Sequence, residues 1–192
     1  MKSSIVQGYV LNNQLIAYWG LALSVYGFYL EGHNPVSNLC YALRDTYSEA
    51  VYRYTLQIIG KLLLGFYVVW LGRQLSLTGN KIIKSVVWVI FGGLLTYYYN
   101  DMVKITIEYV HFIQYALLTL IVVKALNGSV FVAMLLCLLA GFLDEVYQTL
   151  EPLSQLNWRD VGLNVTGVIW GGLVFWTLRK NTPQVVEVKT SF

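Results

Sequence analysis

Acidic and imidazole side chains within apolar stretches are the residues of this chain best suited to chemistry. Glu108, His111 and Tyr115 occupy relative positions 0, 3 and 7 of one stretch, so a helix would carry all three on one face. Asp144 and Glu145 stand near the end of a second stretch. Ionisable groups are costly in hydrocarbon unless they are paired or used, which makes these five residues candidates for a functional site.

Acid/base chemistry is the hypothesis that these residue types favour. Among Glu108, Asp144 and Glu145, one carboxyl group could donate a proton while another stays ionised, and His111 could relay the proton. No Ser or Cys is placed convincingly as a nucleophile beside His111. The competing hypothesis is structural: the same groups hydrogen-bond to one another and fix helix register, although such pairs contribute only about 0.6 kcal/mol each between membrane helices.

Further polar residues could bind or orient a substrate in this site. Gln148 follows Asp144 by one helical turn, and Asn164 follows Asp160 by one turn in a third apolar stretch. For Asp160, at the start of that stretch, we expect mainly a role as helix N-terminal cap. One histidine among carboxylates does not form a strong zinc pattern, so the sequence predicts neither a metal nor another cofactor.

The composition places these residues in a membrane. Of the 192 residues, 57% are hydrophobic and 12% are charged, whereas a soluble domain carries roughly 25% charged residues. A span needs about 20 apolar residues, and we predict an all-α, polytopic membrane helix bundle. Its six transmembrane helices would cover residues 15–30, 54–71, 82–98, 105–123, 130–150 and 161–178.

A seventh, interfacial helix is predicted for residues 35–53. Apolar side chains recur there at spacings of four and three, and Asn34 with Pro35 suits a helix start. This helix could cover the polar site as a lid or rest on lipid as a linker. The whole chain would be one membrane domain, with N-terminal spans in 1–103, a core in 104–180 and a polar tail in 181–192.

The distribution of basic residues predicts the orientation. With six spans, eight of the 13 Lys and Arg residues fall on the side of the termini and four on the other, so the positive-inside rule places both termini in the cytoplasm. The polar residues of the last three spans then lie near the outer surface, with Glu145 about 8 Å below the end of its span. Basic residues are not interleaved with aromatic ones in a pattern that indicates nucleic-acid binding.

Three motifs resemble the VanZ-like family of bacterial membrane proteins. They are HF..Y.LL from His111, DE..Q from Asp144 and P.......D...N..G from Pro152. The resemblance implies a link to the cell envelope, because the namesake of the family is associated with low-level resistance to teicoplanin. The family usually has an Arg two residues after the proline, where this chain has Ser154, and Arg159 is the candidate substitute.

Two functions from different classes follow as hypotheses. In the first, the protein sits in the bacterial inner membrane and binds or modifies a lipid head group or lipid-linked envelope substrate. Glu145, Asp144, His111 and Glu108 would be catalytic, and Gln148, Asn164, Asp160, Tyr115 and Arg159 would contact the substrate. In the second, the protein is a non-catalytic accessory subunit of a larger membrane complex, with membrane lipids and other subunits as partners.

Overall fold

The structure, a computed structural model, describes residues 2–78, 80–102, 109–150 and 155–179. It describes side chains in 13–32, 35–78, 80–97, 109–150 and 155–179. These parts of the chain are helical, as predicted, with short connections. The helices are α1 (Lys2–Tyr47), α2 (Glu49–Ser76), α3 (Lys81–Met102), α4 (Tyr109–Ala125), α5 (Val130–Gln148) and α6 (Trp158–Leu178).

Three of the described helices, α2, α5 and α6, are long and apolar enough to cross a membrane. The described part of α4 is apolar but shorter, at 17 residues. These properties fit a helical membrane protein. The prediction of six spans is finer than this observation and stays a prediction.

The first helix differs from the sequence prediction. A break at Pro35 was expected, but α1 continues through that residue for 46 residues, and the predicted helix over 35–53 is therefore wrong in its bounds. The break lies at Ser48, whose φ of 66° interrupts the helical backbone. Proline lacks one amide donor and usually kinks a helix, yet here the helix persists on both sides of it. At about 69 Å, α1 is more than twice as long as a bilayer core is thick.

The C-terminal part of α1 does not cover the polar site as a lid, which was one of the two alternatives. Every described side chain from Pro35 to Tyr47 is exposed or only half-buried. A helix packed over the polar site would bury at least one side of itself. This part of α1 therefore presents its apolar residues to the surroundings of the protein.

Helices α4 and α6 form the closest pair. A Cβ atom on Gly167 would collide with the carbonyl oxygen of Phe112, and one on Gly171 would collide with that of Ala116. Small residues four apart allow two membrane helices to approach backbone to backbone. The two glycines thus set the distance between the helix that carries His111 and the helix that carries Asn164.

Helix α5 packs against this pair through a single face. Its buried residues Ala133, Cys137, Gly141 and Asp144 follow one another at helical spacing, and the same buried face ends at Glu145. Helix α1 closes another side of α4, where the Tyr29 and Tyr115 rings lie 6.2 Å apart. The apolar core of the bundle therefore leads directly into the acidic residues of α5.

Helices α2 and α3 lie at the edge of the bundle. Helix α3 is anchored to α6 because the Trp88 indole donates to Thr177 Oγ1 at 2.8 Å and the buried Lys84 ammonium donates to the Thr177 carbonyl at 3.2 Å. Helix α2 has no buried residue among its 28. Gly92 and Gly93 of α3 face open space among the described residues.

Candidate functional site

The imidazole of His111 lies at the centre of a buried polar cluster formed by α4, α5 and α6. Its Nδ1 is 3.2 Å from Asn164 Oδ1 and 3.7 Å from Glu145 Oε1, and its Nε2 is 3.9 Å from Asp160 Oδ2. The side chains come from three helices, and each is at least nine-tenths buried as a residue. The predicted meeting of the polar faces of α4, α5 and α6 is therefore found in the structure.

Glu145 is the most enclosed acid of the cluster. Only 1% of its surface is exposed, and Oε1 makes no hydrogen bond with any described residue. Helix α5 ends at Gln148, so Glu145 lies about 4.5 Å from that helix end along the axis. It combines deep burial with a position close to one end of the bundle.

Asp144 belongs to a second, contiguous group. Its Oδ2 accepts a hydrogen bond of 2.9 Å from the Tyr115 hydroxyl, and its Oδ1 accepts one of 3.4 Å from the Gln148 amide. Asp144 is 2% exposed and Tyr115 is fully buried. The neighbouring acids of α5 thus have different surroundings, since Asp144 receives donors on both oxygens while Glu145 faces the imidazole.

Asp160 is not the helix cap that the sequence predicted. Helix α6 begins at Trp158, and Asn157 is the capping residue, with its Oδ1 accepting from the Arg159 backbone N–H at 3.1 Å. The Asn157 amide also donates to Asp160 Oδ2 at 2.6 Å. The prediction was wrong because it started the helix three residues too late, and Asp160 instead turns its carboxylate toward His111.

Gly141 leaves the room that Asn164 needs. A Cβ atom at Gly141 would come within 3.0 Å of the Asn164 Cβ and 3.2 Å of Tyr115 Cε1. The Asn164 amide donates to the Gly141 carbonyl at 3.1 Å while its oxygen faces His111. Asn164 therefore ties α6 to α5 and orients the imidazole of α4.

The structure brings together seven of the nine predicted site residues. Arg159 is half-buried at the start of α6, and its predicted contact with the substrate stays a prediction. Glu108 lies outside the described residues, so its predicted catalytic place is untested. The seven that form the cluster are His111, Tyr115, Asp144, Glu145, Gln148, Asp160 and Asn164.

Three neighbours of the cluster were missed from the sequence. Tyr26 of α1 donates to the Ala140 carbonyl at 3.0 Å, close to the Tyr115 hydroxyl, which lies 3.4 Å from the same oxygen. Asn157 stands three residues before Asp160, and Gly141 stands three before Asp144. Of the three, Asn157 had a detectable signal, because a capping residue precedes an acid by three at many helix starts. For Tyr26 no such signal exists in a run rich in aromatic residues.

The cluster can hold or move protons and can ligate a cation. His111, Glu145 and Asp160 each offer one ligand atom, and these atoms lie within 4.8 Å of one another. The imidazole lies 3.7 and 3.9 Å from acids of two different helices, and a proton relay between them would require these separations to close to about 2.6–3.2 Å or a bridging water. The thiol of Cys137 is buried two helical turns from Asp144 along α5 and is not part of the cluster.

An apolar groove of about 590 Å³ lies toward the opposite ends of α4 and α6. Tyr18, Tyr29 and Leu117 line its walls, and Lys124 with Arg179 adds two cationic groups. Because His111 and Asp160 stand at the starts of the same two helices, the groove and the cluster are separate features of the bundle.

No protein-family model, curated protein or solved structure matches this chain. The resemblance to the VanZ-like family therefore remains a prediction from the three sequence motifs.

Proposed function

We propose that this is an envelope-directed membrane protein that binds, and acts on, the polar head group of a lipid or lipid-linked substrate at the His111 cluster. The observation that carries the proposal is the convergence of His111, Glu145 and Asp160 from three helices into one buried site. Polar pairs between membrane helices contribute little to stability. A functional role therefore explains the burial of several ionisable groups in one place better than a contribution to helix packing does.

The roles follow from the contacts. Glu145 would be the acid/base group, because it is nearly fully enclosed and its Oε1 is without a hydrogen-bond donor among the described residues. His111 would relay protons between Glu145 and Asp160, and Asn164 would orient the imidazole ring. Asp144, held by Tyr115 and Gln148, would keep its position.

The place of the cluster in the bundle fits a lipid substrate. It lies at the starts of α4 and α6 and near the end of α5, where a head group at the membrane boundary could reach it. Following the positive-inside rule, we assign this boundary to the outer face of a bacterial inner membrane. The VanZ-like motifs support the same assignment to the cell envelope.

A panel of lipids with identical acyl chains and different head groups tests the proposal. The purified protein would be heated in detergent with each lipid, and we expect one class of head group to raise the unfolding temperature. Glu145→Gln should abolish that rise, whereas Glu49→Gln, at an exposed acid that pairs with Arg53, should leave it intact. Equal effects of all head groups on the wild-type protein would contradict the proposal.

A second candidate function, that of an accessory subunit without chemistry, is favoured by α2. None of its 28 residues is buried, and Phe66 and Val69 are each 75% exposed. An exposed apolar surface of this kind can contact either lipid or a helix of a partner protein. Sizing after gentle solubilisation separates the two functions, since an accessory subunit should elute with a larger assembly and a self-sufficient protein as a free species.

A further inference from the structure

We infer that the His111 cluster is a binding site for one divalent transition-metal cation, such as Zn²⁺ or Mn²⁺, held by His111, Glu145 and Asp160. This inference deepens the proposed function, because it concerns the same cluster, and with the cation bound His111, Glu145 and Asp160 would act as its ligands in place of the acid/base and relay roles given above. Binding of the cation does not, however, require that a lipid head group binds there. The two claims can therefore be tested separately.

The spacing of the donor atoms suits a metal. One ligand atom from each of the three side chains lies within 4.8 Å of the other two. The 3.7 Å separation from Glu145 is measured to His111 Nδ1, whereas the 3.9 Å separation from Asp160 is measured to Nε2, and a single ion would bind one of these two ring nitrogens. In a tetrahedral site with bonds of about 2.0–2.2 Å, neighbouring donors are about 3.4 Å apart. Donors that lie within 4.8 Å of one another would have to approach by up to about 1.4 Å to reach that geometry.

The surroundings of Glu145 favour a cation at this place. Glu145 Oε1 is fully buried, faces the imidazole and receives no hydrogen bond from any described residue. A buried oxygen without a donor is rare in folded proteins and calls for a partner, and a metal ion is a partner of the right size for an enclosed site.

The surrounding residues match the usual support of a metal site. Metal-ligating side chains are held by a further layer of hydrogen bonds. Asn164 Oδ1 lies 3.2 Å from His111 Nδ1 and would accept a hydrogen bond from it, so Nε2 would be the nitrogen that binds the ion. The Asn157 amide donates to Asp160 Oδ2 at 2.6 Å. The first contact orients His111 and the second orients Asp160.

The donor set also indicates which cations to expect. Imidazole suits zinc and the later transition metals, while carboxylates suit harder ions such as Mn²⁺. A site with one imidazole nitrogen and two carboxylates suits both kinds of cation. It has no thiolate and is therefore not a site for soft metal ions. Three protein ligands leave at least one coordination position for water or a substrate oxygen, as in catalytic rather than structural zinc sites.

Titration calorimetry on the full-length protein, purified in detergent and stripped with a chelator, tests the inference directly. We expect Zn²⁺ or Mn²⁺ to bind with a stoichiometry near one, and we expect Glu145→Gln, His111→Gln and Asp160→Asn each to weaken binding at least tenfold. Glu49→Gln should bind like the wild type. Failure of the wild type to bind either ion, or unchanged binding by Glu145→Gln, would overturn the inference.

Two further measurements keep the outcome clear. Thermal unfolding without metal shows whether each variant is folded, and because Glu and Gln have nearly the same shape, Glu145→Gln should melt close to the chelated wild type. The lipid panel is then repeated with chelator and with metal. Metal binding without any head-group effect would contradict the proposed function alone, whereas a head-group effect that persists in chelator, with no metal bound, would contradict the metal site alone.

Discussion

Replacing Gly167 by alanine tests whether the close contact between α4 and α6 positions the cluster. The added Cβ would overlap the Phe112 carbonyl oxygen and come within 3.2 Å of the Ala116 backbone nitrogen. All of these obstacles are backbone atoms, which cannot rotate away. The helices must therefore separate by about 1 Å, and overpacking of this kind costs about 1–3 kcal/mol.

The matched control is Gly93→Ala in α3. An alanine there meets no described atom within 4 Å, so it changes helix propensity by the same amount, up to about 1 kcal/mol, without a collision. The difference between the two variants isolates the packing cost. Unfolding by a denaturing detergent in mixed micelles measures both free energies of unfolding.

We expect Gly167→Ala to be about 1–3 kcal/mol less stable than Gly93→Ala. Because Phe112 adjoins His111 in the chain, the same displacement should move the imidazole away from Asn164 and weaken metal binding. If the two variants unfold within about 0.5 kcal/mol of each other, the backbone contact between α4 and α6 is refuted.

Two other substitutions test local contacts of the cluster. Tyr115→Phe removes the 2.9 Å donor to buried Asp144, and we expect a loss of about 1–3 kcal/mol in the free energy of unfolding; an unchanged value would show that the hydroxyl does not serve that carboxylate. Asn157→Ala removes the cap of α6 and a donor to Asp160 and should cost about 0.5–2 kcal/mol. Ser129→Ala, at a helix start whose side chain makes no cap bond, should cost less, and equal losses in the same unfolding assay would contradict the assignment.

The sequence was sufficient to predict the helical class and most of the cluster. Ionisable residues at helical spacing in apolar runs indicated the polar faces of α4, α5 and α6. This prediction succeeded because burial of charge imposes a strong local constraint. His111, Glu145 and Asn164 could thus be grouped before any coordinates were known.

Helix bounds were harder to predict. Pro35 is normally a signal for a helix boundary, but α1 continues past it and ends before Ser48, a residue type with little preference for positive φ. The start of α6 was placed after Asp160 because hydropathy alone does not reveal the first, polar turn. The Asn157 cap is visible only once that turn is recognised.

The metal hypothesis illustrates a different limit. In the sequence, one histidine among scattered acids has no ligand spacing that indicates a metal. The three donors come from three helices, so only the packing of those helices brings them within 4.8 Å. A site whose ligands come from separate helices has no local sequence motif, so it can be recognised only from the structure.

The most direct test of the central claim is a double-mutant cycle between His111→Ala on α4 and Asn164→Ala on α6. Side chains in contact usually show a coupling of at least about 0.5 kcal/mol in the free energy of unfolding, whereas distant sites add within about 0.3–0.5 kcal/mol. Thr177→Ala is the control partner, about 20 Å along α6 from Asn164. We predict coupling above this additive range for His111 with Asn164 and additivity for His111 with Thr177; additivity in both cycles would contradict a site in which α4, α5 and α6 meet at the imidazole.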